Sequence, residues 1–288
     1  MSAIDTSTDP VQDRASRRSK RWLVLLWVVV AFLFANLFGL VLSVVVDSFG
    51  KTWFGGWLPS GFTAHWYADA WREFSLSRVM VVTLEVAVAV VVISVAVAVP
   101  ASYVLARKSF PGKRVVMLLF VLPILVPPIT YGIPLATLLY SWHLAGSMSG
   151  VILANLVPAV PFVILTMTPF IEQIDPKIEA AARMSGASTR VIFTRILAPL
   201  LIPGILAACI LVLVRTVGMF ELTFLTAGPS STTLVVSLYD AVFAAGIRAN
   251  QSVDAMATIY TVSMMVLLIV ALRFVNPTQL VTRVKETD

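Results

Sequence analysis

Long apolar stretches separated by short polar ones set the pattern of this chain. Trp22–Val46 runs 25 residues without a charge, long enough to cross a bilayer as a slightly tilted helix. Five further stretches, at about 78–105, 115–140, 151–171, 200–226 and 253–275, each predict a spanning helix. The segments between them differ in kind. Residues 47–77 are mixed and aromatic, with Trp53, Trp57, Trp66, Tyr67 and Trp71, as expected at a membrane–water interface. Residues 107–114 form a basic turn, 141–150 lack Lys and Arg, 172–198 are polar and charged, and 227–252 read as a weakly polar loop. The third stretch holds Pro123, Pro127, Pro128 and Pro134, and the fourth holds Pro158 and Pro161. Each interior proline frees a carbonyl that hydrocarbon cannot satisfy. These helices therefore either kink inside a tight bundle or line a watery cavity.

Composition sharpens the picture. Apolar residues are 59% of the 288, charged residues only 12%, and the mean hydropathy is +0.93, whereas a soluble domain carries roughly a quarter charged residues. The net charge of +6 raises nucleic acid as a partner, but the basic residues form no continuous face with stacking aromatics. They sit in clusters between apolar stretches. Sixteen of the 21 fall in the N-terminal tail, in 107–114, in 172–198 and at the C-terminal end (Arg273, Arg283, Lys285), against four (Lys51, Arg72, Arg78, Arg248) in the alternate segments. That is the positive-inside pattern, and it predicts both termini in the cytoplasm. Residues 1–21 then form a basic cytoplasmic tail, 22–275 the membrane domain and 276–288 a cytoplasmic C-tail. The basic start resembles a signal peptide, but the apolar stretch is too long and lacks a small-residue cleavage site. A retained first helix is expected. Cys209 stands alone, and His65 and His143 are far apart without ligands at metal spacing, so no metal and no disulfide are expected.

Residues 172–198 have a structure of their own. Asp175 is a good N-cap and Pro176 suits the first helical position, so Lys177–Ser185 predicts a short helix that Gly186 ends in a left-handed turn. Ser188 then caps a second helix running towards Pro199. Ala180, Ala181 and Ala182 keep side chains small, which suits close docking against another protein. An ordinary connecting loop satisfies the same residues.

This segment resembles the coupling loop of binding-protein-dependent ABC importer permeases, whose signature is Glu-Ala-Ala, three residues, Gly, nine residues, Ile-x-Leu-Pro. Gly186, Ile196 and Pro199 match. Aligned on the glycine, Ala180 occupies the Glu position, with Glu179 one place earlier, and Ala198 occupies the Leu position. One residue turns a side chain about 100° around a helix. The resemblance covers about 75–275, including Leu122-Pro-Ile-Leu-Val-Pro-Pro128, Val160-Pro-Phe162 and Thr226-Ala-Gly-Pro229. It looks nearest the spermidine/putrescine branch, although Gly218-Met219 stand where that branch usually has an acidic pair. The resemblance implies an all-α membrane fold of six helices of the type I importer kind, in a bacterial inner membrane. It implies a second permease subunit, two ATPase subunits that bind ATP and Mg, an external solute-binding protein, and no cofactor in this chain. In the family the glutamate helps anchor the loop on the ATPase. The cargo it implies is polyamine-like, or another small solute such as a sugar or an amino/phosphonate compound.

Glu85, Arg215 and Glu221 lie within the apolar stretches. An ionised group at mid-bilayer costs roughly 2.5–3.5 kcal/mol or more, so it faces a partner or a cavity. An interhelical ion pair such as Arg215 with Glu85 is one outcome, and a polar patch on a translocation path is the other. No catalytic set competes. Gly50-Lys51-Thr52 lacks the earlier glycine of a phosphate loop, and Gly146-Ser-Met-Ser-Gly150 lacks a serine at the nucleophile position. A secondary carrier, the alternative, is expected to show inverted repeats, and none is evident.

Overall fold

A computed structural model of the chain describes residues 10–53, 56, 58–243 and 249–274, and these are helical apart from their connections and one isolated bridge, Gly50 to Phe62. The expected C-tail 276–288, together with Trp57 and Arg248, lies outside the described residues. Among the described residues five helices are long and apolar enough to cross a membrane, six if one bent pair counts as a single span. They correspond to the predicted stretches. The helix α1 (Pro10–Ser48) begins inside the expected basic tail. After it come α2 (His65–Glu73), α3 (Leu76–Arg107), α4 (Lys113–Leu125), α5 (Pro128–Ser141) and α6 (Met148–Glu172).

The third stretch is not one straight span. Val126 and Pro127 adopt extended backbone between α4 and α5, and the two helices meet at 98°. Pro127 and Pro128 together remove two backbone donors where a continuous helix would need them. Residues 172–198 hold α7 (Pro176–Met184), a turn α8 (Thr189–Val191) and a π-helix, Ile192–Leu197, which runs straight into α9 (Ala198–Val217). The fifth stretch also breaks, at Gly218–Phe220, before the short α10 (Glu221–Thr226). The expected loop 227–252 contains a further helix, α11 (Leu234–Phe243), too short to span. The last helix is α12 (Asn250–Phe274).

The core is a packet of α3, α6 and α9. Val90, Ala98, Ile164, Met167, Leu201 and Ala208 are buried there. Lipid gives helices no hydrophobic reason to associate, so close packing of small residues takes that part. A Cβ at Gly204 would meet the Phe170 ring at 3.0 Å. At one end of the packet two connections touch through glycines. A Cβ on Gly228 would lie 2.5 Å from the Gly146 carbonyl oxygen, and Gly146 N–H donates to Thr226 O at 2.8 Å. By contrast, the spanning part of α1 has no buried residue over its most apolar window. Only its last turns are covered, where Ser48 shares a 2.7 Å hydrogen bond with Tyr67 of α2.

Candidate functional site

Two polar constructions stand out, one at the end of α3 and one where α9 breaks.

The first is built on α7. Asp175 accepts a hydrogen bond from Lys177 N–H at 2.9 Å, with Pro176 in the first turn. Gly186 has φ +84° and ends the segment, and the Ser188 hydroxyl accepts from Val191 N–H at 3.4 Å. Ala180 and Ala181 are exposed, whereas Ala182 is half-buried and packs on the core. Ile196, in the π-helix, also packs on the core, and Pro199 sits in the first turn of α9.

Glu179 is the buried residue of α7, at 4% exposure. Its carboxylate points into its own chain. Arg107 Nε donates to Glu179 Oε1 at 2.7 Å, and the Tyr103 hydroxyl donates to Oε2 at 2.8 Å. Arg107 Nη2 donates to the carbonyl of Ile174 at 2.6 Å, fixing the residue just before the cap. Arg183, one turn on along α7, approaches Oε2 at 3.5 Å from a largely exposed position. Tyr103 also meets Phe193 of the π-helix edge-on, with ring centroids 5.6 Å apart. A buried carboxylate is tolerable when both oxygens receive charged or polar donors, and here they do. Sequence reading placed Arg107 in a basic turn and passed over Tyr103. The signal available was that Arg107 closes a long helix, where a cation favours the C-terminus, one connection away from a displaced glutamate.

The second construction gathers residues from four helices. Arg215, half-buried near the end of α9, lies over the Phe162 ring of α6 at 5.6 Å, a cation–π contact. Glu221 stands in the first turn of α10, and Tyr131 of α5 packs on the cluster of Ala154, Met219 and Leu222. The Tyr131 hydroxyl is buried with no hydrogen-bond partner among the described residues. Asn155 of α6 donates to Thr223 of α10 at 3.2 Å. Aromatic rings continue from here, Phe220 to Phe224 to Tyr239 to Phe243, with neighbouring centroids between 4.3 and 5.3 Å. Among the described residues Arg215 has no ion pair, so the pair with Glu85 does not form. Glu85 stands exposed on α3 instead. Arg215 and Glu221 thus stand on either side of the break between α9 and α10, and Glu85 stands apart on α3. Tyr131 and Phe162 were missed because neither type is unusual in an apolar stretch.

Comparison with known proteins adds the following. Residues 98–279 match the family model described as binding-protein-dependent transport system inner membrane component. A trehalose transport system permease protein of Mycobacterium tuberculosis is 30% identical over 69% of this chain and 72% of its own length. A probable molybdenum ABC transporter permease protein of Haloferax volcanii is 36% identical over 45% of this chain and 51% of its own. The chain therefore spans about half the length of this second relative. A bacterial ABC transporter involved in import of the acidic polysaccharide alginate shares the fold, with a TM-score of 0.73 at 17% identity, covering 89% of this chain and 97% of the other. None of these names a polyamine, and nothing here confirms the nearness to the spermidine/putrescine branch.

Proposed function

The chain belongs to the family of binding-protein-dependent transport system inner membrane components, a multi-pass ABC importer permease subunit, and from that premise we propose how it works. It pairs with a second permease subunit and receives solute from an external binding protein; a bacterial alginate ABC transporter is seen in complex with an alginate pentasaccharide-bound periplasmic protein. The complex carries two ATPase subunits that hold the ATP and Mg and drive the change of access, and one of them docks on the exposed face of α7. Both termini and α7 lie on the ATPase side of the membrane, in accord with the distribution of basic residues.

Cargo passes the second construction. The observation that carries this is Arg215, a half-buried guanidinium that lies over the Phe162 ring and has no ion pair among the described residues. A guanidinium held in low dielectric without a counter-ion favours an anion with oxygens to share. A small oxyanion or carboxylate is the cargo class proposed. The molybdenum-named relative accords with it. A second reading, a sugar, is favoured by the aromatic run from Phe220 to Phe243 and by the trehalose-named relative.

Purification with candidate ATPase and permease partners, followed by uptake into proteoliposomes, tests the reading. ATP-dependent uptake of molybdate or sulfate that collapses in Arg215→Ala supports it. Uptake of trehalose unaffected by Arg215→Ala moves the cargo to the sugar class. Uptake by the chain alone, driven by an ion gradient, would make it a secondary carrier.

A further inference from the structure

Three separate segments converge on one carboxylate in this molecule. The end of α3 supplies Arg107 and Tyr103, α7 supplies Glu179, and the π-helix supplies Phe193 against Tyr103. A π-helix is a rare form, with i→i+5 hydrogen bonds, that occurs mostly as a single turn within a helix and often at functional sites. Here it separates α7 from α9. Of the two routes from α7 into the membrane core, the covalent one therefore runs through a break in the regular α-helical ladder. The non-covalent one runs through a buried carboxylate, one oxygen paired with Arg107 and the other bonded to Tyr103, directly onto α3, the helix that packs along α6 through the core.

We infer that Arg107 and Tyr103 are positioning residues that lock α7 to α3 through Glu179, so that a push on α7 moves α3 as one body while the π-helix yields. On this account the glutamate is turned inward to carry the push across its own chain, and the contact with a partner is left to the exposed residues Ala180 and Ala181. The inference rests on the importer reading for the source of the push, but the lock itself is a property of this chain alone.

The exposed positions Val97 on α3 and Ser185 just past α7 take spin labels as cysteines in a Cys209→Ser background, and pulsed electron resonance reads the distance between them. The full complex with its ATPase subunits is measured without nucleotide and with ATP plus vanadate. The expected result is one narrow distance that is the same in both states. In Glu179→Gln and in Arg107→Met the distance should widen or shift with nucleotide by more than about one helical turn, roughly 5 Å. The exchange Arg107→Glu with Glu179→Arg should narrow it again, which a general loosening of the fold would not do. Tyr103→Phe keeps the ion pair and provides the milder variant should the others fail to insert, with a widening that is smaller but present. A nucleotide-dependent shift of that size in the unaltered protein overturns the inference, as do unchanged distances in the variants. Loss of the ATPase from Glu179→Gln with the distance unchanged also overturns it, and makes Glu179 the anchor. If no ATPase ever co-purifies, the importer reading fails, while the distances in the free chain still decide whether the lock exists.

Discussion

Arg107 and Arg215 both stand at the ends of core helices, yet their surroundings are opposite. Arg107 spends its donors on a buried carboxylate and a backbone carbonyl, at 2.7 and 2.6 Å. Arg215 has an aromatic face beneath it and, among the described residues, no carboxylate on it. A guanidinium paired with a buried carboxylate fixes geometry, because any movement breaks charged hydrogen bonds. One left without a counter-ion keeps its binding capacity for something outside the chain. Under the two proposals made above, the contrast separates a part that transmits force from a part that meets a ligand.

The largest effect is expected at the partnered arginine. Arg107→Met leaves Glu179 as a buried carboxylate short of its main donor, and should cost about 3–5 kcal/mol in thermal or denaturant unfolding. Adding Glu179→Leu should recover most of that loss. An unchanged unfolding midpoint in Arg107→Met would break the comparison at its stronger end. Tyr103→Phe removes one hydrogen bond to a charged group and should cost about 1.5–3 kcal/mol in the same assay. Replacing Gly186 tests the turn that ends the same segment. Its φ is +84° and a Cβ there would meet nothing within 4 Å, so the cost is backbone strain alone, about 1–2 kcal/mol. Gly186→Ala and Gly186→Trp should then destabilise the free chain equally, and a further loss in Trp seen only in the assembled complex would locate a partner surface there. The smallest effect on stability belongs to Arg215→Ala, about 0.5–1 kcal/mol for the lost ring contact, together with loss of uptake. Glu85→Gln should rescue nothing, and a rescue would show a pair that this structure does not contain.

The spans were legible because a chain in hydrocarbon must bury its backbone bonds within long apolar helices, and α3, α6 and α12 carry that pattern with few interruptions. The prolines at 127 and 128 announced a disturbance, but a 98° turn depends on what α5 packs against, which local sequence does not state. The helix α11 lies in a segment that reads as a weakly polar loop, since Ser237 and Asp240 interrupt its apolar residues and ten residues are too few to span. In α7 the caps at Asp175 and Ser188 and the turn at Gly186 could be read from residue types alone. The direction of Glu179 could not. Its side chain is aimed by partners 72 and 76 residues earlier in the chain, and a motif aligned on Gly186 carries no information about them. Phe162 became visible only when Arg215 was placed in space.

The bare first helix has a consequence for how such a chain can change over generations. None of the side chains of residues 22–40 is buried in the packet of α3, α6 and α9, and the family match itself begins only at residue 98. Substitutions along α1 are therefore screened by hydrocarbon compatibility and by whatever neighbour it meets, and hardly at all by the fold. The exposed part of that helix is free to drift, whereas its last turns answer to Tyr67 of α2 and to Gln251 of α12. The segment from Tyr103 to Glu179 is bound by reciprocal contacts and has no such freedom, since a change at either end demands an answering change at the other.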